Sequence, residues 1–257
     1  MKQKNLSNSL CSFFVSLITL TLLVLSSRAQ DNKASTSHDQ PSTDSFDIRK
    51  SSFLLPQALP KGHYYHSLSL FYVIVPKDWA HDIIQAPMFS YAGKYTLPKG
   101  FNLQGSISTL VVSTRANLGP FWNYDLDRYH FGIGYQVAFN LGVLYEFGFH
   151  TVLTGWEQQP SITLGYSFDK SSVILRGDVY WTTALYLSDG KNTVPFTTSF
   201  INGYSLTASL EQRLWKNHVM SFGVKVNYLK YHILSWPAFP VNSYRYFVPE
   251  FQLGLNF

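Results

Sequence analysis

From residue 64 to residue 257, side-chain character alternates with a period of two, and this alternation restricts the fold more than any other feature. Segments of about ten residues carry apolar or aromatic side chains at every second position and small or polar ones between them. In residues 129–139, YHFGIGYQVAF, the odd positions are apolar or aromatic and the even positions small or polar. Because successive side chains of a strand point to opposite faces, each segment predicts a strand with one apolar face. No run of 18 apolar residues occurs here, so the pattern predicts a closed antiparallel transmembrane β-barrel, an all-β fold.

The first 29 residues have the composition of a secretory signal peptide. Lys2 and Lys4 precede a mostly apolar stretch, residues 10–25, and Ala29 follows at the position of a cleavage site. A retained helical anchor is the alternative, although a membrane-spanning helix needs about 20 apolar residues. Removing residues 1–29 lowers the formal charge from +5 to +2, because Lys2, Lys4 and Arg28 leave and no acid does. The basic charge of the whole chain therefore does not predict nucleic-acid binding.

Residues 30–60 differ in composition from the rest of the chain. They are rich in Ser, Thr, Asp and Gln and contain few apolar residues before Phe53, which predicts a flexible polar tail on the periplasmic side. The barrel domain is predicted to follow at residues 61–257. The only cysteine, Cys11, lies in the predicted signal peptide, so the mature chain has no disulfide or thiolate site. The sequence predicts no cofactor and no metal site.

The C-terminal residues alternate in the same way and end on an aromatic side chain. The apolar positions are Phe251, Leu253, Leu255 and Phe257. This end resembles the closing strand of Gram-negative outer-membrane β-barrel proteins, in which such residues form the signal read by the barrel-assembly machinery. The resemblance implies a location in the cell outer membrane, with that machinery, outer-membrane lipid and lipopolysaccharide as partners. Pro249 departs from the pattern and predicts weakened pairing at that point.

Short and long connections are predicted to alternate along the barrel. Turn residues predict tight turns at 97–100, 140–142, 169–171 and 216–218, and longer connections at 115–128, 155–160, 188–195 and 235–243. Outer-membrane barrels have short periplasmic turns and longer extracellular loops, so this order predicts that both termini are periplasmic. The connections divide the chain into about ten strands, with eight and twelve as alternatives.

Aromatic side chains are predicted to form a girdle at each end of the barrel, where rings meet lipid headgroups. Trp79, Trp122, Trp156 and Trp236 are assigned to the long-loop side, and Tyr95, Phe101, Phe139, Phe168, Trp215 and Phe257 to the short-turn side. Two aromatic runs, 118–124 and 236–240, are predicted to form an apolar patch on the long-loop side. The patch would either bind a ligand or partner or anchor the loops among headgroups.

Placing the polar faces inward collects a balanced set of charges in the lumen. The predicted network is Lys94, Glu146, Arg176, Asp178, Glu211, Arg213, Lys225 and Glu250. Small barrels are filled by side chains, and an unpaired charge in so confined a space is costly, so these residues are expected to form ion pairs. In an open barrel the same pairs would instead control ion selectivity.

Three functions remain open from the sequence. The first is a structural or binding barrel with a largely plugged lumen, which acts through its loops or tail. The second is a narrow channel for small solutes. The third is an outer-membrane hydrolase, for which His130 and His150 face the lumen and Asp178 or Ser205 could join one of them in acid–base chemistry. No catalytic residue is assigned, because no hydrolase or nucleotide-binding motif is present.

Overall fold

The computed structural model describes residues 48, 51–76, 84–110, 112–144, 151–189, 192–197, 199–215, 218–232 and 244–257. All of them belong to one unit, residues 46–257. The strands are β1 Tyr64–Val75, β2 Ile84–Thr96, β3 Phe101–Leu110, β4 Ser113–Leu126, β5 Tyr129–Leu144, β6 Thr151–Ser167, β7 Ser171–Asp189, β8 Asn192–Thr197, β9 Phe200–Trp215, β10 His218–Leu229 and β11 Tyr246–Asn256. No helix among the described residues is long and apolar enough to cross a membrane.

The strands form a closed antiparallel barrel, as the alternation predicts. Each of β1 to β6 pairs with the next, β6 pairs with β7, and β7 continues through β9 and β10 to β11. β11 then pairs with β1 and closes the sheet. The long β7 has two partners on this side. Residues 171–182 of β7 pair with β9, and residues 185–189 pair with the short β8. The predicted fold class and the count of ten barrel strands are both confirmed.

The period-two pattern determines which side chains face the lumen. In β5 the even positions from His130 to Gly142 are buried and most odd positions are exposed, as predicted. The same agreement holds in β9 and β10, where Ser209, Glu211 and Ser221 are buried. β7 departs from the pattern, because its pairing with β6 shifts near Thr183 and turns Leu185 inward. The outer surface therefore carries a continuous set of exposed apolar and aromatic side chains, the surface that a barrel presents to lipid.

Several predicted connections lie inside strands. Residues 140–142 belong to β5, 155–160 to β6 and most of 115–128 to β4. The tight turns at 97–100 and between β6 and β7 are confirmed, whereas 216–217 and 235–243 lie outside the described residues. The predicted count of ten strands is nevertheless right. β4 was interpreted as a connection, which removes one strand, and the connections predicted inside β5 and β6 add one strand.

Proline explains two of these errors, the connections predicted at 115–128 and 155–160. Pro120 pairs with Leu103 on its β3 side, but the β4–β5 ladder omits residues 119 and 120. Pro160 likewise pairs with Tyr135, while the β6–β7 ladder omits residues 159 and 160. Because proline has no N–H to donate, it is tolerated in a strand where a ladder bond is absent. Gly119 fits the same place, since a Cβ there would lie 1.9 Å from the Tyr135 carbonyl oxygen.

Two aromatic assignments are also wrong. Trp122 pairs with Phe101, beside the 97–100 turn, so it lies at the short-turn end and not on the long-loop side. Phe139 pairs with Trp156, nearer the end of β5 that continues into residues 145–150, and therefore lies away from the short-turn end. Trp79 and Trp236 lie outside the described residues. The start of β1 and the end of β11 are both at the short-turn end.

Candidate functional site in the lumen

Part of the predicted flexible tail lies inside the barrel. Residues 51–58, which we call the luminal segment, are packed against inward-facing side chains of the wall, and Ser52, Phe53 and Leu55 are buried. Its backbone is folded into a tight turn, in which Ser51 and Ser52 donate to the Ile48 carbonyl. Pro56 fills space over Gly132 and Gly165, two inward positions without side chains. For these residues the expectation of a flexible tail fails, while residues 1–47 lie outside the described part of the chain.

Glu211 and Lys94 hold the luminal segment from opposite sides. The fully buried Glu211 carboxylate accepts the N–H groups of Phe53 at 3.0 Å and Leu54 at 2.9 Å, and also the Ser52 hydroxyl. The Lys94 ammonium donates to the Phe53 carbonyl at 2.8 Å and lies 5.3 Å from the centroid of the Phe53 ring. These two predicted network residues therefore bind the backbone of the segment, and no direct bond joins them in the described structure.

A chain of hydrogen bonds supports the segment closer to the short turns. Asp125 accepts the Ala58 N–H at 2.9 Å and contacts His130 Nδ1 at 2.7 Å, and His130 Nε2 contacts the Ser167 hydroxyl at 3.0 Å. Ser167, His130 and Asp125 are therefore arranged in the order of a nucleophile, its base and the acid that orients the base. However, Ser167 is only 4% exposed, and its own N–H donates to the Arg128 carbonyl. Neither Asp178 nor Ser205, the residues predicted to join His130 or His150, contacts His130, whose partners are Asp125 and Ser167. His150 is outside the described residues.

Three ion pairs line the middle of the lumen. Arg176 and Asp178 are 2.8 Å apart, and Lys225 and Glu250 are 3.4 Å apart. The third pair, Arg115–Glu157 at 2.7 Å, is the shortest and was missed by the sequence analysis. It was missed because residues 115–128 and 155–160 were both assigned to loops.

The remaining predicted charges have other positions. Arg213 lies opposite the buried Val219 in the β9–β10 ladder, so it is on the inward face of the sheet, at the short-turn end. Glu146 lies outside the described residues. Within the described ranges, no group of three His, Cys, Asp or Glu side chains is placed to hold a metal ion.

Residues 231 and 232 turn inward above the ion pairs, at the end opposite the short turns. Asn202 accepts the Tyr231 N–H at 3.0 Å and donates to its carbonyl at 2.8 Å. His232 contacts Glu250 at 3.0 Å. Burial raises the pKa of the Tyr231 phenol, so the ring stays neutral. No periodic signal marks these residues, because they follow β10 in an irregular segment.

A cavity of about 230 Å³ lies between the luminal segment and residues 231–232. The three ion pairs form part of its wall. Small hydroxyl side chains from β1, β2 and β3 form another part, and these are Ser67, Ser69, Ser90, Ser106 and Ser108. A strip of buried apolar residues, Val73, Val75, Met88, Leu110 and Val248, faces inward beyond the serines. The lumen is therefore polar and charged in the middle and apolar along one part of its far end.

The C-terminal apolar residues face outward. Phe251, Leu253 and Phe257 are exposed on the outer surface, whereas Glu250, just before them, and Asn256, within the run, are buried. The pairing of β11 with β1 ends at Glu250, next to Pro249, which agrees with the predicted weak point. The geometry places these residues on the outer face; their role as an assembly signal stays a prediction.

Comparisons with known proteins give fold similarity alone. No protein-family model matches the sequence, and no curated protein is similar to it. Among solved structures, the chain is similar to Neisserial surface protein A, with 13% identity over 75% of this chain and 95% of that one, and a TM-score of 0.39. It is also similar to the KdgM porin, with 10% identity over 74% and 98% and a TM-score of 0.40. A COG4313 outer membrane channel from Pseudomonas putida F1 matches at 8% identity over 86% and 100%, with a TM-score of 0.36.

Proposed function

We propose that this chain is an integral outer-membrane β-barrel with both chain termini on the periplasmic side, whose lumen is plugged by its own luminal segment. The belt of exposed apolar side chains and the short turns at one end support the membrane placement. In the plugged state the barrel acts as a binding or structural protein and not as an open pore. Outer-membrane lipid, lipopolysaccharide and the barrel-assembly machinery are its proposed partners.

The observation that carries this proposal is the pair of buried charges that hold the segment. Glu211 accepts hydrogen bonds from three successive residues, 52 to 54, and Lys94 donates to the carbonyls of residues 52 and 53. If the segment left, both charges would lose these partners inside a confined lumen. A hydrogen bond to a charged group contributes about 1.5–3 kcal/mol, so these contacts favour the bound segment.

Single-channel recording in planar bilayers tests the plug. The full chain, folded in non-ionic detergent, should give no regular conductance steps, and Glu211→Gln should give frequent openings. Glu250→Gln is the matched control, since it neutralises another buried luminal carboxylate that does not contact the segment. Steady conductance of the parent, or equal opening of both variants, would contradict the plug.

A narrow channel is the second candidate, and the cavity above the segment favours it. A passage needs polar space along the lumen, and the 230 Å³ cavity supplies it once residues 51–58 move. The same recordings separate the two candidates. A channel conducts in the parent chain, whereas a plugged barrel conducts only after the Glu211 contacts are weakened.

A further inference from the structure

We propose that the luminal cavity binds a small anion carrying carboxylate groups, through the cations of the three mid-lumen ion pairs. This inference rests on the proposed function in one respect, since it requires the chain to fold as a barrel around this lumen. It does not require the lumen to conduct. The argument uses the exposure of the paired charges, their hydrogen bonds and the size of the cavity.

The cations and the acids of these pairs are unequally exposed. The side chains of Arg115, Arg176 and Lys225 are 14%, 27% and 22% exposed, and those of their partners Glu157, Asp178 and Glu250 are 1%, 3% and 2% exposed. The carboxylates are therefore covered, while part of each cation is accessible. A solute in the cavity meets positive charge first, even though the three pairs are formally neutral.

The hydrogen bonds show the same inequality. Asp178 accepts bonds from Gln159, Ser205 and Arg176, so both its oxygens are already occupied. Glu250 is bound by Asn227 and His232 in addition to Lys225.

Arg176, in contrast, uses only Nε and Nη2 for its bonds to Asp178 and Gln136. Its Nη1 makes no hydrogen bond within the described part of the chain. An arginine has five N–H donors, so this group can bind a further oxygen atom. A carboxylate is a strong acceptor for a guanidinium, because both partners are charged.

The serines of β1, β2 and β3 contribute neutral donors to the cavity. Ser90 and Ser108 are joined at 2.9 Å, and Ser106 bonds to Asn117 at 3.1 Å. A hydroxyl both donates and accepts, so this wall can bind the second polar end of a solute.

Size limits the ligand to a small molecule. A volume of 230 Å³ is below the roughly 300–1,000 Å³ of common ligand pockets. A short dicarboxylate fits these limits, and an oligosaccharide or a lipid does not.

Titration calorimetry tests this site on the full chain folded in detergent. The probes are succinate, which carries two carboxylates, and 1,4-diaminobutane, a cation of the same length. Succinate should bind and the diamine should not. Arg176→Gln should weaken succinate binding at least about tenfold, as expected for loss of a charge-assisted hydrogen bond.

Three further variants keep the test decisive. Arg128→Gln makes the same change at an exposed arginine of the short-turn end and should leave succinate binding unchanged. The double variant Arg176→Gln/Asp178→Asn replaces the pair by amides, leaves no buried charge without its partner, and should also lose succinate binding. Lys225→Gln should weaken binding in the same direction.

The failures of the two proposals differ. Each sample is first checked by the heat-dependent shift of a folded barrel on a detergent gel, and a parent chain without that shift overturns both proposals. A folded barrel that does not bind succinate, that binds the diamine equally, or that binds succinate unchanged after Arg176→Gln overturns only the anion site.

Discussion

The two levels of the lumen use buried charges in different ways. At the short-turn end, Lys94 and Glu211 bind the backbone of residues 52–54, which are distant in sequence and can in principle leave. In the middle, Arg115, Arg176 and Lys225 bind acids that belong to the wall itself. The same residue types therefore bind the luminal segment at one level and join strands of the wall at the other. Mutations at the two levels should accordingly have different effects.

Arg115→Met should have the largest effect on stability. Its loss leaves Glu157 buried without its 2.7 Å partner, and breaking a buried pair in this way costs about 3–5 kcal/mol. Urea unfolding, followed by the heat-dependent gel shift, should show a lower midpoint and a free energy of unfolding reduced by that amount. Arg115→Met/Glu157→Leu should recover most of the loss, because it removes the unpaired charge. An unchanged midpoint in the single variant would show that the ion pair between β4 and β6 does not stabilise the barrel.

Lys94→Met should release the luminal segment and leave the barrel folded. The ammonium donates to two carbonyls of the segment, and a hydrogen bond to a charged group contributes about 1.5–3 kcal/mol. Chymotrypsin should then cleave at Phe53 or Leu54 faster than in the parent, with an unchanged gel shift.

Lys225→Met is the matched control for that experiment, because Lys225 bonds to Glu250 and not to the segment. It should lower the unfolding midpoint without exposing residues 53 and 54. Equal cleavage of both variants would remove the distinction between the two levels.

His130→Ala should have a smaller effect, about 1–3 kcal/mol, because it leaves Asp125 and Ser167 without a shared partner. The buried Ser167 should not react with a fluorophosphonate in the folded parent. Mass spectrometry of the treated protein measures this directly. Labelling at Ser167 that is lost in His130→Ala would instead support the hydrolase function.

Arg128→Gln should have the smallest effect. The Arg128–Asp169 contact is 3.6 Å long and exposed, and such pairs contribute about 0–1 kcal/mol. Its urea midpoint should coincide with that of the parent. A large shift would mean that the exposed turns contribute as much as the lumen, contrary to the comparison above.

Much of the candidate site follows from the sequence once the face of each residue is known. The alternation of side chains along each strand places Lys94, Asp178, Glu211 and Glu250 inside the barrel. A strand cannot turn one of these side chains outward without also reversing its neighbours. The bonding partner of each of these residues does not follow from the alternation. Lys94 and Glu211 each bind the luminal segment, and the acid that neutralises Arg115 comes from a region that was interpreted as a loop.

The sequence by itself determined the wall of this protein, because a period of two specifies both the strand and its two faces. Tertiary structure alone decided where proline is tolerated, since Pro120 and Pro160 are acceptable only beside gaps in a particular ladder. It also decided the position of residues 51–58, which the composition of residues 30–60 as a whole assigns to a flexible tail. Their binding partner, Glu211, is 158 positions from Phe53, and a local pattern carries no information about a contact that closing the barrel creates.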